Sequence, residues 1–180
     1  MGNRLVIAAL VAGVFAVAGG VIELYRAQPE GDFDHWAHYT LEACFAVFLF
    51  ASAIGFWLLR RRTVSSLGRA GAIGAAAGNA LIGVSAMLTL ATGTNDDDGA
   101  VAALFPLGAL VTLVAVLVLI VESLRGRLDP RWFAPLYLVS ILLSAPLDGS
   151  GGLALWGIAW LVLARRELRG PDRAAVISSA

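Results

Sequence analysis

Six long apolar runs, separated by short charged stretches, constrain the fold of this 180-residue chain more than any other feature. A run of about 20 apolar residues can cross a bilayer as a helix, because a helix bonds every backbone N–H and C=O group internally. None of the runs shows the alternation of apolar and polar residues that is typical of a membrane barrel strand. The predicted spans are 5–24, 39–59, 70–92, 100–124, 130–147 and 151–168.

Composition excludes the soluble and disordered classes of protein. Apolar residues make up 59% of the chain and charged residues only 14%, whereas a soluble domain carries about 25% charged residues. A chain of this length cannot bury so many apolar runs in one water-soluble core. We therefore predict an all-α fold: one polytopic transmembrane bundle of six helices over residues 1–169, followed by a short cytoplasmic tail over 170–180.

The last two runs are the shortest, and they leave the number of spans open. We expect Asp129 to cap the fifth helix and Pro130 to occupy its first position, which would lengthen this helix. The sixth helix can extend through Arg165 and Arg166 into the lipid headgroups. The alternative is a re-entrant hairpin that turns at residues 148–152 and is shielded by protein.

The distribution of arginine predicts the orientation, because cytoplasmic loops are enriched in positive charge and this chain contains no lysine. Of the 13 cationic residues, Arg26 alone falls on one side of the six-span arrangement. The other twelve are Arg4, Arg60, Arg61, Arg62, Arg69, Arg125, Arg127, Arg131, Arg165, Arg166, Arg169 and Arg173. This pattern predicts an inner-membrane protein with both termini in the cytoplasm. A cleaved signal peptide, ending at Ala16-Val17-Ala18, is the alternative for the first run.

Small residues in the third run predict close packing between helices. Gly74 and Gly78 form a small-xxx-small motif, which allows two helix backbones to approach each other. Asn79 follows directly and is expected to form a hydrogen bond to another helix near the middle of the membrane. The motif fits packing within the chain, and it equally fits association with a second copy or with another membrane protein.

One group of side chains has the chemistry of a metal or proton site. His35, His38 and Glu42 share one face of the second predicted helix at 100° per residue. Counting residues along antiparallel helices places Glu23 of the first helix at about the depth of Glu42. Imidazole and carboxylate groups suit zinc or another divalent metal. The favoured interpretation is nevertheless structural, with the carboxylates near the interface or paired with Arg26 and the histidines bonded to backbone groups.

The remaining sequence features favour a non-catalytic role. The single cysteine, Cys44, excludes an intrachain disulfide and a Cys-pair metal motif. Nucleophile, phosphate-loop and dinucleotide-binding motifs are absent from the sequence. Because 13 basic and 13 acidic residues balance, no overall charge favours a nucleic-acid partner. The expected partner is the lipid bilayer.

Gly/Ala-rich runs alternate with Leu/Val-rich runs, and two further segments stand out: Gly126-Arg127-Leu128-Asp129-Pro130-Arg131-Trp132 and Gly157-Ile158-Ala159-Trp160-Leu161. In these respects the chain resembles small bacterial multi-pass membrane proteins. The resemblance implies the six-helix bundle and the bacterial membrane. It implies no activity, no cofactor and no site residue.

Three classes of function remain open at this level. The favoured class is a non-catalytic accessory or structural subunit. The second is a small cation-binding or proton-coupled carrier, with Glu23, His35, His38 and Glu42 at its outer mouth. The third is a lipid-modifying enzyme that uses the same residues, and this class requires a lipid-sized groove beside His38.

Overall fold

A computed structural model describes residues 2–26, 35–92, 100–147 and 151–169, and this part of the chain is all-helical and contains no strand. The predicted tail at 170–180 lies outside the described residues. The helices are α1 (Gly2–Arg26), α2 (His35–Leu59), α3 (Ser66–Thr92), α4 (Ala100–Leu124), α5 (Phe133–Ser144) and α6 (Gly152–Arg169). Two short 3₁₀ turns, Arg60–Arg62 and Ala145–Leu147, follow α2 and α5.

Four of these helices are long and apolar enough to cross a membrane. The candidate spans are Asn3–Leu24, Ala37–Arg62, Ser66–Thr92 and Ala103–Leu124, and they belong to α1, α2, α3 and α4. Helix length and composition therefore indicate a membrane protein. The six-span count stays a prediction.

The start of α5 differs from the sequence prediction. This helix has 12 residues and begins at Phe133, so the prediction that Asp129 caps it and that Pro130 occupies its first position is wrong. The Asp129 carboxylate instead accepts a hydrogen bond from Arg166 at 2.8 Å and lies 3.7 Å from Arg62. At 1.5 Å per residue, 12 residues extend about 18 Å, which is shorter than the hydrocarbon layer of about 30 Å.

The helices form a closed ring. Each helix packs against the next one in sequence, and α6 returns to pack against α1. Contact is most extensive between α3 and α4 and between α1 and α6, and it is sparsest between α4 and α5. We call the end where α2, α4 and α6 finish the arginine-rich end, and the opposite end, which carries Glu23 and Glu42, the acidic end.

Glycine allows the two tightest helix pairs to form. A Cβ atom at Gly78 of α3 would lie 2.7 Å from the carbonyl oxygen of Gly108 in α4. A Cβ atom at Gly157 of α6 would lie 2.9 Å from the carbonyl oxygen of Gly13 in α1. Only a residue without a side chain fits at such distances, so these glycines hold the two helix pairs at backbone contact.

Aromatic side chains fill the interior of the ring in its arginine-rich half. The Phe56 ring lies 5.0 Å from Tyr137 and 5.1 Å from Trp160, in both cases edge to face. The Phe133 ring lies 4.9 Å from Trp160. Edge-to-face pairs at these separations are favourable beyond the area they bury. This cluster joins α2 to α5 and α6, from which α2 is separated in sequence by α3 and α4.

A second set of contacts ties the loops together at the arginine-rich end. The Ser65 hydroxyl donates a hydrogen bond to the fully buried Glu122 carboxylate and accepts one from the Gly68 N–H at 2.8 Å. The Val64 N–H donates to the Arg127 carbonyl at 3.1 Å. The Arg62 guanidinium makes two hydrogen bonds to Glu167, at 2.9 and 2.6 Å. These contacts connect the α2–α3 loop with the end of α4 and with α6.

Candidate functional site

A cavity of about 530 Å³ lies at the acidic end of the ring. Five helices contribute to its wall, namely α1, α2, α4, α5 and α6. The lining residues used below are Glu23, Glu42, Phe45, Ser144, Leu153 and Trp156. The remaining lining residues are apolar. A volume of this size is within the range of small-molecule sites, about 300–1,000 Å³.

Glu23 is held in the cavity wall by the first turn of α6. Its side chain is buried, with 8% of its surface exposed. Its carboxylate accepts a hydrogen bond from the backbone N–H of Leu153 at 3.2 Å. Leu153 is the second residue of α6, where backbone N–H groups have no partner within the helix and the helix dipole favours negative charge. The α1–α6 contact therefore gives the Glu23 carboxylate a hydrogen-bond donor at the first turn of α6.

Glu42 and Phe45 reach the cavity from α2. They are three residues apart, so they lie on one face of the helix. The Glu42 side chain is half-buried, as is that of Phe45. Thus a second carboxyl group and an aromatic ring line the same cavity as Glu23.

Aromatic rings close the cavity on the side that faces the interior. The Trp156 ring lies 5.0 Å from Phe48, 6.1 Å from Phe45 and 6.3 Å from Tyr137. The Tyr137 hydroxyl in turn donates a hydrogen bond to the side-chain amide oxygen Oδ1 of Asn79 at 3.2 Å. Tyr137 and Asn79 are both fully buried. Side chains therefore lie in contact with one another from Trp156 at the cavity to Asn79 in the interior.

The structure brings together two of the four residues predicted for a metal site. Glu23 and Glu42 line one cavity, whereas His38 does not line it and its ring instead lies 6.0 Å from the Tyr39 ring. His35 begins α2, and its side chain lies outside the described part of the structure. Among the described residues, no group of three or more His, Cys, Asp or Glu side chains is placed to hold a metal ion. The metal site stays a prediction.

Gly74, Gly78 and Asn79 face the neighbouring helix α4. A Cβ atom at Gly74 would lie 3.1 Å from the Cβ atom of Ala115. The Asn79 amide donates to the Ala75 carbonyl at 2.8 Å and lies 3.5 Å from the Thr112 hydroxyl. Packing of α3 against α4 within one chain is therefore sufficient to explain the small residues of α3. Association through α3 with a second copy or another protein stays a prediction.

Sequence reasoning did not identify the part of the site contributed by α5 and α6. Trp156 of α6 lines the cavity, and no sequence motif indicates this role. Phe45 carried a local signal, since it lies one helical turn after Glu42. The Leu153 N–H had no local signal in the sequence, because its hydrogen bond to Glu23 depends on how α6 packs against α1.

Comparison of the chain with protein-family models, with curated proteins and with solved structures returned no match. The geometry of the chain itself must therefore support any assignment of function.

Proposed function

We propose that this protein is a non-catalytic integral membrane protein that binds a small organic cation with an apolar body in the cavity at its acidic end. The observation that carries the proposal is that Glu23 of α1 and Glu42 of α2 line the same cavity. Its other walls are apolar and aromatic apart from Ser144.

The chemistry of the wall favours an organic cation over other ligands. Two carboxyl groups at one cavity attract positive charge, and their attraction is stronger beside apolar walls than in water. Phe45 and Trp156 line the cavity, and aromatic rings attract a cation at their faces and also cover an apolar body. A metal ion would need more ligands than the two carboxyl groups described here.

The packed interior supports binding rather than conduction. A carrier would need a polar path from the cavity past Asn79. Asn79 is instead enclosed by its hydrogen bonds to Tyr137 and Ala75. A binding subunit that presents a ligand to a partner protein, or that senses it, requires no such path.

We also infer that the arginine-rich end faces the cytoplasm of a bacterial inner membrane. The support is the distribution of arginine, since eleven of the arginines that the structure describes belong to this end. Both termini then lie in the cytoplasm.

Binding of benzyltrimethylammonium, a small aromatic quaternary ammonium ion, tests the proposed function. The purified chain in phosphatidylcholine nanodiscs is titrated by calorimetry, beside the variants Glu23→Gln and Glu42→Gln. We expect each variant to bind at least about tenfold more weakly, because each loses one charge beside a poorly solvated cation. Asp129→Asn, which removes an exposed carboxylate at the opposite end, is the matched control and should bind as the wild type does.

Equal affinity in all four proteins, or no saturable binding to the wild type, would contradict the proposal. Elemental analysis of the wild type beside two further variants, Glu42→Ala and His38→Ala, separates the metal alternative. Stoichiometric zinc in the wild type that is lost in both Glu42→Ala and His38→Ala would favour a metal site instead.

A further inference from the structure

A second cavity, of about 450 Å³, lies on the side of the bundle at the arginine-rich end. The turn after α2 and the first half of α3 form its wall. Its lining residues are Arg60, Arg61, Thr63, Arg69 and Ile73. We call this cavity the basic pocket.

The carboxylates described at this end contact other arginines. Glu167 forms a salt bridge with Arg62. Asp129 forms salt bridges with Arg62 and Arg166. Glu122 binds Ser65 and lies 3.6 Å from Arg125. Arg60 and Arg69 of the basic pocket therefore add positive charge beside the ion pairs of Arg62, Arg125 and Arg166.

Two arginines of the basic pocket are held in place by contacts that leave donors available. The Arg60 guanidinium lies 3.6 Å from the centre of the Trp57 ring, which it covers. One nitrogen of Arg69 donates to the Val64 carbonyl at 3.4 Å. Since a guanidinium carries five N–H donors, stacking and one hydrogen bond leave an edge of each group to bind an anion.

We propose that the basic pocket binds the phosphate of an anionic phospholipid, with Arg60 and Arg69 as its principal ligands. Arginine pairs with phosphate through two parallel hydrogen bonds, and basic pockets between membrane helices suit anionic headgroups. This site is independent of the cavity at the acidic end and of the function proposed for it.

The surroundings of the basic pocket favour a membrane lipid over a soluble phosphate. Trp57 is 46% exposed, and tryptophan on a membrane protein surface is typical of the headgroup region. Ile73 is 41% exposed and lies one helical turn beyond Arg69 on the same face of α3. The pocket therefore joins a charged region at headgroup depth to an apolar helix surface that an acyl chain can cover.

Native mass spectrometry of the full chain in detergent tests the proposal. Binding of one phosphatidylglycerol is compared with binding of phosphatidylcholine with identical acyl chains. We expect Arg60→Gln/Arg69→Gln to bind phosphatidylglycerol at least about tenfold more weakly, because two charged donors are lost. The control Arg127→Gln/Arg169→Gln removes two exposed charges from the same end and should change the affinity less than about twofold.

Three results would overturn the proposal. The first is equal weakening in both double variants, which would indicate a general effect of charge at this end. The second is equal binding of the two lipids by the wild type. The third is displacement of the lipid by millimolar inorganic phosphate at constant ionic strength, which would make a soluble anion the ligand. Thermal melting of each variant establishes that it is folded. If Arg60→Gln/Arg69→Gln does not fold, the single variant Arg69→Gln replaces it in the binding measurement.

Discussion

Ser65 connects two helices through one hydroxyl group. It precedes the first residue of α3 and accepts a hydrogen bond from the Gly68 N–H, which is the usual role of a residue that caps a helix. The same hydroxyl donates to Glu122, which is fully buried near the end of α4. A buried carboxylate that loses such a donor is costly, because no water replaces it.

Removal of this hydroxyl should destabilise the protein. We expect Ser65→Ala to lower the free energy of unfolding by about 2 kcal/mol, because both the cap of α3 and a hydrogen bond to a buried carboxylate are lost. Ser66→Ala, one residue later at an exposed position, should change it by less than about 0.5 kcal/mol. Unfolding of both variants in mixed micelles with increasing dodecyl sulfate measures the difference. An equal effect of the two substitutions would contradict this role for Ser65.

At the same scale, the sequence predicted the depth of Glu23 and Glu42 but not their full surroundings. Counting residues along antiparallel helices was sufficient for the two carboxyl groups, because the rise of a helix is regular. The contacts of the Asp129 carboxylate with arginine side chains could not be predicted by counting residues along helices. Its partners Arg62 and Arg166 are distant in sequence, and their contacts depend on how three chain segments meet.

At the scale of the helix, the contact of α3 with α4 depends on Gly78. We expect Gly78→Leu to destabilise the protein by about 3 kcal/mol or more, because a side chain there would overlap the backbone of Gly108. Ala77→Leu, at the adjacent exposed position, adds a similar volume on the outer side of α3 and should be tolerated. Thermal melting in detergent compares the two variants. Tolerance of Gly78→Leu would show that α3 and α4 do not approach as closely as described.

The same helices show which element boundaries are predictable. Helix α4 ends at Leu124, where charged residues follow the apolar run. The start of α3 is four residues earlier than predicted, at Ser66 rather than residue 70. Polar residues extend this helix because Ser65 caps it, and hydropathy contains no such information.

At the scale of the whole molecule, the placement of α5 and α6 decides the number of spans. If all six helices cross the membrane, residue 150 is accessible from outside the cell. In a Cys44→Ala background, we expect Ser150→Cys in intact cells to react with a membrane-impermeant maleimide. We expect Val64→Cys, which is highly exposed at the arginine-rich end, to react only after permeabilisation. Protection of Ser150→Cys under both conditions would favour the re-entrant hairpin, and labelling of Val64→Cys in intact cells would contradict the proposed orientation.

The closing contact of the ring has a consequence for biosynthesis. Helix α1 is synthesised before its partner α6, and four other helices lie between them in the sequence. The glycine-lined face of α1 must therefore remain covered by lipid, or by an insertion factor, while five further helices are made. The wall that holds Glu23 is complete only when α6 arrives, so a chain that stops before residue 152 would keep its long helices and lack its cavity.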